Sequence, residues 1–372
     1  MHYLRLCALG IVCSCNSSTI ATLDAMHPTP DAVITDAMPA VHMVAYVGGN
    51  AASIDRYDIA TNGGLTPAAS TSSLARPSFL AITATALYAV SEATSRVAAY
   101  DLDPATGALA LIDDASSGGS GPAYIGVDRS GAYALVANYG DGSVASLAIR
   151  PDRGVAPPHT LAVGAHAHMI VTDPSNRYAF VPCLGADYVA QLAFDAATGT
   201  LTPNAEPHLT TATGAGPRHL AFAPDGRHAY LINETNSTLS ALGYDGATGR
   251  LSELQTVSTR AAGATGANTG AEVWVHPGGG FVYASNRGDN TIAVFAIAGD
   301  GRLSPIGQAP TLGNTPRDFT LDPTGSRLYV ANQDSNTIVA FAIDRQTGMP
   351  TPIAAPVSAA SPTFIGVTTL AR

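Results

Sequence analysis

Val282-Tyr283-Ala284-Ser285-Asn286, followed after a short polar turn by Thr291-Ile292-Ala293-Val294-Phe295, returns 46 residues later as Leu328-Tyr329-Val330-Ala331-Asn332 and Thr337-Ile338-Val339-Ala340-Phe341. Each copy is two short runs rich in β-branched and aromatic residues around a turn, which is the signature of an antiparallel strand pair. Matching outward gives one column of mostly small or amide residues: Gly49, Ser91, Asn138, Cys183, Asn233, Asn286 and Asn332. Successive members lie 42, 47, 45, 50, 53 and 46 residues apart, the length of a four-stranded propeller blade. Seven positions predict seven blades.

A further strand precedes each column, ended by a turn such as Asp128-Arg129-Ser130-Gly131, Ala223-Pro224-Asp225-Gly226 or Asp322-Pro323-Thr324-Gly325. Downstream, Ala105-Thr106-Gly107, Ala197-Thr198-Gly199, Ala247-Thr248-Gly249 and Gln346-Thr347-Gly348 mark an outer hairpin. Each blade therefore has four antiparallel strands, counted first to fourth from the channel outward. The first copy begins at its second strand, near Met43 to Val47, while the C-terminus carries a spare first strand at Pro362-Thr363-Phe364-Ile365-Gly366-Val367. Pairing the two completes the seventh blade and removes the free sheet edges. The fold class expected is an all-β, seven-bladed β-propeller over residues 42–372.

Composition narrows the function. The chain of 372 residues carries a formal charge of −10, so its surface repels a phosphate backbone and a nucleic-acid partner is not expected. All 18 basic residues are Arg; without Lys there is neither Schiff-base chemistry nor a phosphate-loop lysine. Three of the four Cys (Cys7, Cys13 and Cys15) lie in the first fifteen residues, after Arg5 and within or behind the apolar run Leu6 to Val12. Residues 1–15 resemble a lipoprotein signal with Val12-Cys13-Ser14 as lipobox and Cys15 as the lipidated residue; a cleaved secretory signal is the alternative. Residues 16–41, with Pro28-Thr29-Pro30-Asp31-Ala32, read as a flexible tether. The expectation is a cell-envelope lipoprotein, or else a secreted or periplasmic protein. It would be monomeric and touch membrane only through lipid on Cys15.

First and second strands are antiparallel, so the start of one and the end of the other share a face of the ring. The first-strand column reads Ala123, His168, Arg218, Ala271 and Arg317; the second-strand column reads Asn50, Glu92, Tyr139, Leu184, Glu234, Arg287 and Gln333. A charge-poor chain thus gathers His168, Arg218, Arg317, Arg287, Glu234 and Glu92 at one opening. His219, Glu272 and Asp318 lie one place further in; His219 and Glu272 are candidate substrate contacts, and all three are also candidates for hydrogen bonds between blades. Tyr230, Tyr283 and Tyr329 are expected to pack between blades. His166-Ala167-His168 has the spacing of a ligand pair on a strand but no accompanying carboxylate cluster, so neither a metal nor any other cofactor is expected. No Gly-x-Ser-x-Gly elbow is present.

Gly216-Pro217-Arg218-His219, Asn233-Glu234, Gly270-Ala271-Glu272-Val273, Ser285-Asn286-Arg287-Gly288, and Pro316-Arg317-Asp318-Phe319 with Val330-Ala331-Asn332-Gln333 resemble the lactonase family of seven-bladed propellers. That family includes bacterial 6-phosphogluconolactonases and fungal carboxymuconate cyclases. The resemblance implies a catalytic site of His168, Arg218, Glu234 and Arg287; Arg317, Glu92, Glu272 and His219 stand beside it as candidate substrate-binding residues. It also implies a small-molecule lactone as partner. Water would attack the lactone carbonyl, guanidiniums would hold the oxyanion or an anionic group, and Glu234 or His168 would take the proton. A non-catalytic propeller displayed for binding and a muconate-type cycloisomerase are the alternatives. Export argues against cytosolic 6-phosphogluconolactone as substrate, so another anionic or sugar-derived lactone is expected.

Overall fold

The computed structural model describes residues 42–371. The signal segment, the tether and Cys15 lie outside them. The described chain is almost wholly strand, and its one helical turn is the 3-10 turn Leu184–Ala186.

Seven antiparallel sheets follow one another along the chain. The second begins with Pro77–Ile82, Ala86–Ser91, Arg96–Leu102 and Leu109–Ser116 from the axis outward, and the pattern repeats. The innermost strands form a ring of contacts. Pro217–Phe222, Thr269–Val275, Pro316–Leu321, Pro362–Leu370, Pro77–Ile82 and Pro122–Val127 touch in that order. Closure follows the expected arrangement: His42–Gly49 pairs with Pro362–Leu370 from His42↔Leu370 to Gly49↔Pro362, giving the sheet order last strand, first, second, third.

The reason the blades stand together is visible in their second and third strands. Val282–Asn286 and Ile292–Phe295 are buried throughout, so both faces of a blade are apolar. Each face must be covered by a neighbouring blade, and the core divides accordingly into seven clusters, each shared by two adjacent blades. Tyr230 and Ile232 pack on Val273 and Val282 in one, and Ala45 and Val47 on Tyr329 and Ala331 at the closing interface. At roughly 1.5–3 kcal/mol per fully buried large apolar side chain, these interfaces are the main source of stability.

A repeated tyrosine adds direction. Tyr46, Tyr88, Tyr133, Tyr178, Tyr230 and Tyr283 each donate their hydroxyl to a backbone carbonyl in the outer hairpin of the next blade, at Gly107, Arg153, Ala197, Ala247, Gly301 and Gly348, over 2.6–3.1 Å. They stand three or five residues before the column that ends the second strand, two positions of the same parity and so of the same face. Tyr329 holds the equivalent place at the closing interface, where its hydroxyl is buried without a partner. At the ends of first strands, Asp128, Asp173 and Asp322 turn back on the chain. Asp128 Oδ1 accepts the amides of Ala132 and Tyr133, each at 2.8 Å, and Asp173 Oδ1 those of Arg177 and Tyr178 at 2.8 and 2.9 Å.

Candidate functional site

Six first strands, that of the closing blade at Pro362 included, carry a β-bulge at their start, where a proline or glycine pairs and the next residue or two do not. Pro217↔Asn233 is followed by His219↔Ile232, and Pro316↔Asn332 by Asp318↔Ala331; Pro77, Pro122 and Gly270 behave alike. The skipped residues are Arg218 and Arg317. A bulge frees its extra residue from the ladder and re-aims its side chain, here into the mouth of the ring. His168 holds the same place ahead of Val171–Thr172, its amide bonded to Pro182 O at 2.9 Å.

Four of the sequence candidates meet. Glu234 Oε2 lies 3.0 Å from Arg218 Nε and 2.9 Å from Arg287 Nη2, so one carboxylate oxygen bridges two guanidiniums. Arg287 Nη2 also donates to Gly270 O at 3.0 Å, and Arg218 Nη1 to Ala271 O. These carbonyls belong to the next first strand, so the pair is fixed from two blades. Arg218 is only 3% exposed and His168 6%. Burial, then Arg287, pulls the Arg218 guanidinium down to about 10, and the same two causes lower Arg317. His168 is pushed well below the usual histidine range, first by burial and then by Arg218, His219, Arg317 and Arg287. Its imidazole is therefore neutral at physiological pH, and its Nδ1 is buried without a partner.

Arg317 stands beside this group and forms no ion pair of its own among the described residues. Glu92 sits at the same opening but is held by Arg76 at 3.1 Å, in a pair open to solvent. Arg76 was absent from the strand columns because it lies in a loop, in left-handed backbone (φ 55°) just before Pro77. Tyr139 was in the columns but was not singled out. It stacks on His166 with ring centroids 4.3 Å apart and meets His168 edge-on at 5.7 Å. Four guanidiniums against two carboxylates make this mouth positive on a protein of net charge −10.

His219 and Glu272 lie one layer deeper. His219 Nδ1 is 2.6 Å from Glu272 Oε2, and both side chains are buried. With Asp318 they form the ionisable half of a ring across the channel, and Phe79, Tyr124, Met169 and Phe364 form the apolar half. Below this ring the channel opens to the opposite face as a cavity of about 570 Å³, lined by Ile82, Val127, Phe222 and Val367 with Trp274 and Arg129 also on its wall. The lining of this cavity does not include His168, Arg218, Arg287 or Arg317. Among the described residues no group of three or more His, Cys, Asp or Glu is placed to hold a metal ion.

The chain belongs to the seven-bladed β-propeller lactonase family, whose model, described as "Lactonase, 7-bladed beta-propeller", matches residues 40–367. Among curated relatives, a 6-phosphogluconolactonase of Pectobacterium carotovorum is 33% identical over 218 residues, covering 58% of this chain and 65% of that one. One of Serratia proteamaculans is 32% identical over 192 residues, covering 51% and 58%. The chain thus spans less than two thirds of the length of these relatives. Among solved structures, a periplasmic gluconolactonase of Pseudomonas aeruginosa superposes with a TM-score of 0.83 at 29% identity, covering 89% of this chain and all of that one. A Lactobacillus plantarum protein superposes at 0.82 and 29%, covering 88% and 99%.

Proposed function

We propose that the protein hydrolyses a small anionic or sugar-derived lactone at the arginine-lined mouth. The observation that carries this reading is the neutral, buried His168 beside Arg218, Arg287 and Arg317. Buried guanidiniums that lower one another's affinity for protons are relieved by an anion, so the mouth favours a carboxylate, a phosphate or a developing oxyanion. His168 supplies an unprotonated base. Glu234 is engaged by two arginines through one oxygen, which suits it to orienting them and leaves proton removal to His168. Water attacks the carbonyl carbon as His168 takes its proton, and the proton then passes to the ring oxygen as the C–O bond breaks. Metal ions take no part in this scheme.

The lactonase names of the relatives and the gluconolactonase neighbour support the reaction class. The periplasmic location of that neighbour supports the export proposed for residues 1–15. A panel of γ- and δ-lactones, with and without phosphate or carboxylate, tests the reading in the presence of a chelator. Hydrolysis above the spontaneous rate, greatest for anionic members, is expected. Tight anion binding without turnover would instead favour a binding propeller.

A further inference from the structure

We propose that His219, Glu272 and Asp318 form a relay that carries the proton released by the reaction away from His168, through the ring, to the channel on the opposite face. The proposal rests on the hydrolytic reading above. Lactone hydrolysis at neutral pH yields a carboxylate: the water oxygen bonds to the acyl carbon, the ring C–O bond breaks, the alkoxide takes the first water proton from His168, and the second passes to His168 as the new carboxyl group ionises. A substrate seated over His168 covers the mouth, so that proton needs another way out.

The geometry supplies one. The His168 and His219 rings meet edge-on with centroids 5.0 Å apart. His168 Nδ1 and His219 Nε2 are both buried and unpartnered, two imidazole nitrogens left open in one small region. On its far side His219 is held through Nδ1 by Glu272 at 2.6 Å. Glu272 Oε1 accepts the Val273 amide at 3.0 Å, and Asp318 Oδ2 the Ile365 amide at 2.7 Å, which fixes both carboxyls toward the axis. His219, Glu272 and Asp318 all line the channel that opens on the other face. The charged groups facing His168 are Arg218, Arg317 and Arg287, with His219 beside them, so an imidazolium there is repelled and its proton moves on readily. Around the carboxyls stand Arg218, Tyr124 and each other; burial pushes Glu272 up to about 7 and Asp318 well above the ordinary range. The pair can therefore gain and lose a proton near neutral pH. A purely structural role would be filled as well by an amide at either position.

Two measurements test the relay. In dilute buffer, Glu272→Gln and His219→Gln should lower kcat at least about tenfold, part of the 10²–10⁴ that proton transfer contributes, with KM unchanged and kcat restored by added imidazole. Wild-type kcat and an unaltered pH profile in both variants would overturn it, as would a loss that imidazole does not restore in a variant of unchanged melting temperature. Independently of turnover, Glu272→Gln should move the ¹⁵N resonances of the His168 ring; unmoved resonances would contradict the coupling. If Glu272→Gln moves those resonances but the wild-type protein opens no lactone, the hydrolytic reading fails and takes the relay's purpose with it.

Discussion

At the scale of single residues, the mouth works by keeping like charges close. Arg218→Ala or Arg287→Ala should cost roughly 2–4 kcal/mol of transition-state stabilisation, measured as kcat/KM, if either holds the oxyanion. The folds of both variants should survive, because each arginine sits at a strand end beside the mouth. His168, neutral through burial and its cationic neighbours, gives a pH prediction. The acid limb of kcat/KM falls as the base is protonated, so it should lie below pH 6.5 in a pH–rate profile, and His168→Asn should abolish the limb along with most activity. Counting strand positions was enough to bring His168, Arg218, Glu234 and Arg287 to one opening. It missed Arg76, which enters from a loop in left-handed backbone, and it overlooked Tyr139, which acts through ring faces that a column of charges does not reveal. It placed His219, Glu272 and Asp318 one place further in. The bulge at Arg218 breaks the alternation on which depth is read, so Arg218 and His219 are neighbours in sequence yet belong to successive layers.

At the scale of elements, a tyrosine hydroxyl ties six of the seven blades to the next, and aspartate turns steady the ends of several first strands. Tyr230→Phe removes a buried donor from Gly301 O and should destabilise the protein by about 1 kcal/mol in denaturant unfolding. Tyr329→Phe should be neutral or slightly stabilising, since its hydroxyl is buried unpaired and its loss leaves nothing unsatisfied. The inter-blade role of Tyr230 and Tyr283 was legible from their place in the repeat. That Tyr329 lacks the same bond depends on the different hairpin offered by the first three strands. The turn aspartates set the acid limit. Burial alone would raise Asp128 and Asp173, but bonds from Ser130, Ser175 and the turn amides outweigh it and hold both below the usual range. A carboxyl lowered on folding contributes stability that is complete above its unfolded value of about 3.9 and is lost as pH falls through the folded value. The stability contributed by these turns should therefore be complete above about pH 5 and be lost below about pH 4, so the acid fall in melting temperature should be less steep in Asp173→Asn.

At the scale of the whole molecule, the ring is closed by its termini, and this much was readable from a first copy lacking its inner strand and a last strand lacking its blade. Deleting residues 360–372 removes the strand that pairs with His42–Gly49 and exposes an apolar edge, so the shortened protein should aggregate or become protease-sensitive. The sequence did not reveal that a ring of side chains divides the channel into a positive mouth and a mostly apolar cavity on the opposite side. That division depends on the side chains at seven successive inner strands meeting at one depth. The central claim is that chemistry takes place at the positive mouth, and it is tested by comparing kcat/KM on one anionic lactone for His168→Asn and for Trp274→Ala, whose side chain is 40% exposed on the other side of the ring. The account predicts a loss of roughly 10²–10⁴ for His168→Asn and a change within about threefold for Trp274→Ala. An active His168→Asn beside an inactive, folded Trp274→Ala would place the reaction in the opposite cavity and contradict it.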